Sequence, residues 1–165
     1  MRDSYHNFTV SPVIAPVVVS DNTAQVGTVI NRAGYRSLTY VIATGTLADA
    51  DATFTALLEE SDSSGSGFTA VADADLVGTE AAASFTYADD GVTRKLGYVG
   101  NKQYTKLTIT PSGNSGSAPI AAVLDATPAF SPEVVALVRF AAQHYRYPLG
   151  EALRMALPPG LTDAV

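Results

Sequence analysis

The residues with the most potential for chemistry are the carboxylates in the middle third of the chain. Ten Asp or Glu residues lie between Asp49 and Asp90, and no Lys or Arg occurs from Ser37 to Thr93. The densest stretch, LLEESDSSGSGFTAVADAD (residues 57–75), combines five carboxylates with four serines and two glycines. Oxygen-rich segments of this kind either coordinate a hard cation such as Ca²⁺ or form the solvated turns between surface strands.

The spacing of these carboxylates favours a solvated surface over a catalytic or metal site. Glu59 and Glu60 are adjacent, so on a strand they point to opposite faces and do not form a glycosidase pair. Asp49 and Asp51 share a face of an extended segment, but neither DADAT nor DADLVGTE has the ligand pattern of an EF-hand loop. We expect no metal site, and a weak cation site within residues 49–90 stays an open alternative.

No residues stand at the spacing of a known nucleophilic or cofactor site. The chain has no Cys, which excludes disulfides, thiolate metal sites and thiol nucleophiles. His6 and His144 lie near opposite ends of the chain, and neither has a second ligand at metal-binding spacing. Nucleophile elbows, zinc-protease motifs and phosphate loops are also absent from the sequence. The sequence therefore predicts a protein that is not an enzyme, with no catalytic residues and no cofactor.

Composition and charge bear on further classes of partner. A net charge of -6 opposes binding to a nucleic-acid backbone, so we expect no nucleic-acid partner. Apolar runs such as SPVIAPVVVS are far shorter than the roughly 20 residues of a membrane helix, and we expect no membrane association. With 165 residues, of which 47% are hydrophobic, the chain is long enough for one domain with a buried core.

The first 130 residues predict an all-β fold. Val, Thr, Ala and Tyr occur there in short runs between Gly, Asp, Asn and Pro, a pattern typical of strands and turns. Phe54, Ala56 and Leu58 alternate with polar residues, as on a half-buried strand. About nine strands are predicted, and no amphipathic helix separates them. An antiparallel β-sandwich or barrel follows. The predicted strands are PVVVS, QVGTVI, SLTYVIAT, TFTALLEES, FTAVA, SFTYA, RKLGYVG, YTKLTITP and PIAAVLDAT.

The two ends of the chain depart from the strand pattern. We predict an N-terminal arm at residues 1–12, a β-sandwich domain at 13–130 and a C-terminal helical extension at 131–165. The extension begins with Ser131 as N-cap and Pro132 at the first helical position. Aromatic, Arg and apolar anchors on such ends can bind a partner. The predicted interface residues are Arg2, Tyr5, Phe8, Val134, Leu137, Val138, Phe140 and Tyr145. Whether the helix packs on its own domain or on a neighbour stays open.

A longer pattern resembles a known group of phage proteins. ADATFTALLEESDSSGSGFTAVADADLVGT, RKLGYVGNKQYTKLTIT and SAPIAAVLDATPAFSP together resemble small virion proteins of tailed bacteriophages that are often encoded near the major capsid protein. The similarity spans roughly residues 13–132. It implies a capsid decoration, or cement, protein with a β-sandwich or jelly-roll fold on the outer capsid surface. The implied partner is the major capsid protein, and we expect a homo-oligomer, a dimer or trimer. The acidic hairpin rim would face away from the shell, and the chain ends would bind it.

Two alternatives stay open. The first is a neck, tail or head-fibre component of the virion. The second belongs to a different class, a carbohydrate-binding β-sandwich module. Such modules commonly use exposed aromatic residues on one face, and Tyr87, Tyr98 and Tyr104 are the candidates here.

Overall fold

The structure is a computed structural model that describes residues 10–128 and Phe140. Within residues 10–128 it contains eleven strands, a 3₁₀ turn at Asp73–Asp75 and one turn of α-helix, α1, at Glu80–Ala83. The strands are β1 Val10–Val19, β2 Gln25–Val26, β3 Ile30–Asn31, β4 Tyr35–Thr44, β5 Thr53–Ser61, β6 Thr69–Ala70, β7 Leu76–Val77, β8 Phe85–Thr86, β9 Thr93–Tyr98, β10 Tyr104–Ser112 and β11 Ala118–Pro128. The predicted all-β sandwich is confirmed.

The strands form two antiparallel sheets. Sheet A has the order β1-β11-β4-β9-β7, and sheet B has the order β2-β10-β5-β6. In sheet B, β3 also pairs with β10, and β8 also pairs with β5. The structure has more strands than the predicted nine, because QVGTVI is divided into β2 and β3 and the two-residue β7 is too short to show a pattern.

The core lies between the two sheets and follows the alternation of the long strands. On β5, Phe54, Ala56 and Leu58 are buried, whereas Thr53 and Thr55 are exposed. Phe54 stacks on Phe85 of β8 with ring centroids 4.8 Å apart. The largest fully buried side chains come from both sheets, and they include Tyr40, Tyr98, Leu38, Ile42, Leu58, Leu96, Leu107 and Ile109. Burial of these apolar side chains supplies the main driving force for folding.

Helical turn α1 closes the open edge of β5. Thr79 caps the turn by accepting a hydrogen bond from the Ala82 amide. The Glu80 carboxylate then accepts from the Leu58 amide at 2.7 Å, and the Ser84 hydroxyl accepts from the Ala56 amide at 3.0 Å. These side chains satisfy strand donors that would otherwise remain unpaired on an exposed sheet edge.

The structure bears on the predicted chain ends at a few residues. β1 begins at Val10, so the last three residues of the predicted arm belong to the first strand. Residues 1–9 lie outside the described residues. β11 ends at Pro128, and of the predicted helical extension the structure describes Phe140, which is helical and 60% exposed.

Candidate interaction surface

The acidic residues are divided between the two ends of the sandwich. We call one end the hairpin end, where β5 finishes at Ser61 and β10 begins at Tyr104, and the other end the far end. Glu59, Glu60 and Asp62 lie at the hairpin end. The loops of the far end carry a second acidic cluster, which consists of Asp49, Asp51, Asp89 and Asp90. The middle third of the chain therefore does not form one acidic face.

The chain ends leave the sandwich beside the acidic hairpin. Val10 pairs with Asp125, and Pro128 pairs with Tyr35, at the hairpin end. The acidic hairpin and the places where the described chain begins and finishes therefore lie at the same end of the sandwich, because β1 starts and β11 finishes at the same end as the turn between β5 and β6. The prediction that the rim faces away from a shell and that the chain ends bind it depends on residues outside those described, and it stays a prediction.

At the far end, carboxylates hold loops together. Asp90 Oδ1 accepts a hydrogen bond from the Leu47 amide at 2.7 Å. Asp49 Oδ2 accepts from both the amide and the hydroxyl of Ser115, each at 2.7 Å. The hydrogen bonds from Ser115, and a weaker one from the Asp51 amide, lower the pKa of Asp49. These carboxylates fasten loops that are distant in sequence, which is a structural role.

At the hairpin end, Tyr98 organises the GYVGNK segment. Its hydroxyl donates to Glu60 Oε2 at 2.6 Å and accepts from the Lys102 amide at 3.0 Å. Burial, and the hydrogen bond to Glu60, raise the pKa of Tyr98. The Lys102 ammonium pairs with Asp62 at 2.6 Å, and the Arg32 guanidinium donates to the Lys102 and Asn101 carbonyls. The network fixes the loop between β9 and β10 to the β5 hairpin.

The three tyrosines proposed for carbohydrate binding do not form a platform. Tyr98 is 0% exposed and belongs to the core. Tyr87 follows β8 at the far end, where its amide donates to the Ala52 carbonyl. Tyr104 starts β10 at the hairpin end, opposite Ser61. The assignment to an exposed carbohydrate-binding surface is therefore wrong for Tyr98. The side chains of Tyr87 and Tyr104 are about the length of β5 apart, so they do not form one platform.

The described part of the chain has neither a cluster of metal-ligating side chains nor a helix that could span a membrane. In residues 10–128 and at Phe140, no group of three or more His, Asp or Glu side chains is placed to hold a metal ion. Within these residues, too, no helix has the length and apolar character needed to cross a bilayer.

The outer face of sheet B is mostly polar, although β2 adds the exposed Val26 beside Thr108. It presents hydroxyl side chains from β5 and β10, and the Lys106 ammonium lies 3.0 Å from Glu59 on the facing strand. The same ammonium lies 4.5 Å from the ring centroid of Phe68, a cation–π contact. The exposed hydroxyl residues are Thr53, Thr55, Thr110 and Ser112. This face is suited to contact with water.

The outer face of sheet A carries an apolar strip, which is bordered by the polar residues Thr39, Lys95 and Asp125. The register pairs Val41 with Val123 and Ala43 with Ala121, so these side chains lie beside each other on the outside of the sandwich. β1 extends the same surface with exposed residues. We call this surface the apolar face; it consists of Pro12, Val18, Val41, Ala43, Pro119, Ala121 and Val123. Contiguous apolar surface of this kind commonly marks an interaction site.

A cavity lies along β9 at the edge of sheet A. Its volume is about 620 Å³, and we call it the β9 cavity. β4, β9, the end of β7 and α1 line it, and Gly97 contributes no side chain to it. Val77 and Val99, which are 60% and 51% exposed, form apolar walls. The Lys95 side chain is exposed at its rim and has no carboxylate partner among the described residues.

Of the eight predicted interface residues, the structure describes Phe140 alone. Arg2, Tyr5, Phe8, Val134, Leu137, Val138 and Tyr145 are outside the described residues, so their role stays a prediction. The sequence did hold a signal for the apolar face. VIA in β4 and IAAVL in β11 are unbroken apolar runs, which indicate strands with two apolar faces.

Comparisons with known proteins support the fold. The model of the PriA 3′DNA-binding domain (3′BD) family matches residues 93–158, less than half of the chain. No curated protein sequence matches the chain. The PBSX exported protein XepA has a similar structure, with a TM-score of 0.50 and 13% identity, covering 77% of this chain and 39% of that chain. The C-terminal family 22 carbohydrate binding module of Clostridium thermocellum Xyn10B has a TM-score of 0.39 and 12% identity, covering 73% of this chain and 82% of that chain. This chain therefore spans well under half of the length of XepA and shares a β-sandwich fold with it.

Proposed function

We propose that this chain is a structural virion protein that binds the outer surface of a phage capsid and stabilises it by bridging major capsid protein subunits. The observation that carries the proposal is the contrast between the two outer faces of the sandwich. Sheet B presents hydroxyls and an ion pair to solvent, whereas sheet A presents the apolar face. One side of the molecule is suited to water and the other to a protein surface.

A phage context is supported by the comparison with XepA. That protein is an exported protein of phage PBSX and shares the sandwich fold at low identity. The resemblance of the hairpin and GYVGNK segments to decoration proteins points in the same direction. The carboxylates of the far end fasten loops, and this structural role agrees with a protein that acts by binding.

A bound protein can stabilise a capsid for a simple energetic reason. A protein that binds the assembled shell but not free subunits stabilises the shell by mass action. Each apolar side chain that such contact removes from water contributes about 25 cal/mol per Å² of buried area. We propose a homo-oligomer, a dimer or trimer, because several copies bound together would contact several subunits of the shell at once.

Nucleic acid is not part of the proposal. Of the four cations that the described residues contribute to the match with the DNA-binding family, three form ion pairs: Arg94 with Asp89, Lys102 with Asp62 and Lys106 with Glu59. Cations already neutralised by carboxylates release few counterions on binding a phosphate backbone. Lys95 alone within residues 93–128 would be available for that purpose.

The test is binding to capsids that lack decoration. The purified protein should co-sediment with such capsids and raise their resistance to heat. Val123→Glu, whose cross-strand neighbours are Val41 and Pro12, should weaken binding about tenfold or more, because the interface would bury an unpaired charge. Thr110→Glu adds the same charge on the polar face and should bind as the unmodified protein does. No co-sedimentation, or equal effects of the two substitutions, would contradict the proposal.

A further inference from the structure

We propose that the β9 cavity is a binding site for an extended, acidic segment of a protein chain, which adds to sheet A as a strand beside β9. This inference does not depend on the capsid proposal. It rests on the backbone of β9, on the shape of the cavity and on the charge at its rim.

The backbone of β9 offers hydrogen-bonding groups on the side away from β4. The Thr44 amide donates to the Val92 carbonyl, so Val92 faces β4, and the Val99 amide donates to the Asp75 carbonyl on the opposite side. Backbone groups alternate sides along a strand. The N–H and C=O groups of Thr93 and Lys95 therefore point away from β4, toward the edge of the sheet.

β7 covers only part of this edge. It pairs with β9 at Tyr98 and Gly97 and ends at Val77. Strand pairing stops at Gly78, which has a φ of +93°, and the chain continues beside β9 into α1. The edge beside Thr93 and Lys95 is therefore left without a paired strand among the described residues. Exposed edges of this type accept an added strand, whose main chain supplies the hydrogen bonds.

The shape of the cavity selects an apolar side chain. Gly97 carries no side chain, and its place on the outer face of β9 forms a depression beside Val77. A Cβ atom at this position would lie 2.9 Å from the Val77 Cβ. Val99 and Ala82 complete the apolar part of the lining, which we call the recess. The whole β9 cavity has a volume of about 620 Å³. Alternate side chains of an added strand would point into this recess and out to solvent.

The charge of the rim selects an acidic segment. Lys95 is exposed and lacks a carboxylate partner within residues 10–128, whereas the neighbouring Arg94 is already paired with Asp89. An acidic residue on the added strand would face Lys95, and an opposite-charge pair across strands is favourable. Lys95 and Gly97 share the outer face of β9, so the expected ligand is an extended segment with an acidic and an apolar residue two positions apart.

The probe is a capped seven-residue peptide of sequence TVTETVT, whose valine and glutamate side chains share one face of a strand, titrated into the ¹⁵N-labelled full chain. We expect saturable shifts of the Thr93 and Lys95 amide resonances and slower exchange of their amide protons. A peptide with lysine in place of glutamate should bind about fivefold more weakly, as expected for an exposed charge pair. A peptide with N-methylated central amides should not bind, because it lacks the donors for strand pairing.

Variants connect binding to the site. Lys95→Glu should reverse the preference between the acidic and basic peptides, and Ala82→Trp should abolish binding by filling the recess. Arg36→Glu makes the same charge change at an exposed cation outside the cavity and should leave binding unchanged. The proposal is overturned by unchanged Thr93 and Lys95 resonances, by equal binding of both peptides, or by equal effects of Arg36→Glu and Lys95→Glu. Binding of a thymidine oligonucleotide at these amides, with no binding of the acidic peptide, would also overturn it.

Discussion

A pair of hydroxyl groups joins the two sheets through the core and allows a sharp test of the fold. Tyr40 on β4 and Thr105 on β10 are both 0% exposed, and their oxygens lie 2.6 Å apart. Either hydroxyl can donate to the other. Because the contact links sheet A to sheet B, it reports whether the sheets pack as described.

The two single substitutions should each be costly. Tyr40→Phe leaves the Thr105 hydroxyl buried without its partner, and Thr105→Val does the same to the Tyr40 hydroxyl. A buried hydroxyl left without a partner costs about 1–3 kcal/mol. The double substitution removes both polar groups with little change of shape, so we expect a cost of about 1 kcal/mol or less. The double variant should then be more stable than the sum of the singles predicts, by about 2 kcal/mol.

Urea unfolding of the four proteins measures this coupling. The free energies of unfolding should be compared at equal slopes with denaturant, since a changed slope would indicate a changed unfolded state. If the effects of the two single substitutions add to within about 0.5 kcal/mol, the hydroxyls do not interact and the described packing of the sheets is refuted.

The same pair predicts an alkaline limit to stability. Burial raises the pKa of Tyr40 to about 12 from its ordinary value of 10.0, although the hydrogen bond from Thr105 opposes this. The folded state therefore favours the neutral phenol. Its contribution is fully present below pH 10 and is lost as the pH rises toward 12. The loss should be about 3 kcal/mol, at 1.36 kcal/mol per pKa unit. If Tyr40→Phe loses as much stability over this range as the unmodified protein, Tyr40 does not carry the effect.

Two further predictions concern the far-end loops. Asp49→Asn should speed the exchange of the Ser115 amide, whereas Asp51→Asn, at a carboxylate with no hydrogen bond among the described residues, should not. In the unmodified protein, the protection of the Ser115 amide from exchange should be present above pH 3.8 and lost as the pH falls through the lowered pKa of Asp49. If the Ser115 amide stays protected in Asp49→Asn, the hydrogen bond from Ser115 to Asp49 is not its cause. Gly113→Ala should lower the free energy of unfolding by about 2 kcal/mol or more, because φ is +70° and the new Cβ would lie 2.7 Å from the Asp51 carbonyl oxygen. Gly91→Ala, also at positive φ but in open space, should cost about 1 kcal/mol in urea unfolding, and equal costs would argue against that contact.

Alternation along the long strands was enough to predict much of the core. The pattern in TFTALLEES placed Phe54, Ala56 and Leu58 on one face, and these residues are buried. Leu107 and Ile109 alternate with polar residues in YTKLTITP in the same way, and both are 0% exposed. The pattern works here because each of these strands faces the core on one side only, and period-two burial then appears directly in the sequence.

The start of β1 could not be predicted from residue preferences. Proline is unfavourable inside a strand, and the predicted strand PVVVS starts only at Pro16, yet β1 includes Pro12 and begins at Val10. β1 lies at the edge of sheet A and pairs with β11 alone in that sheet. An edge strand tolerates proline, since an amide that faces away from the neighbouring strand is not needed for pairing. The position of a strand within its sheet therefore has to be known before its prolines can be interpreted.

The roles of the carboxylates depend on contacts between residues that are distant in sequence. The Asp90 carboxylate accepts from Leu47, and the Asp49 carboxylate accepts from Ser115. No local spacing predicts such partners, because the strand order brings these loops together. Composition alone suggested solvated surface residues, whereas the structure uses several of them as hydrogen-bond acceptors for backbone amides.

The two proposed binding features lie on the same sheet, and the register explains why. Lys95 on β9 pairs with Val41 on β4, and Gly97 pairs with Thr39, so the β9 cavity opens beside the apolar face. A partner that covers the apolar face would therefore be in reach of an edge to which one of its segments could add as a strand. The two contacts can still be separated by experiment. Val123→Glu alters the face on β11, which β4 separates from β9, whereas Ala82→Trp fills the cavity and leaves the apolar face unchanged. Loss of capsid binding in the first variant but not in the second would assign the shell contact to the face alone.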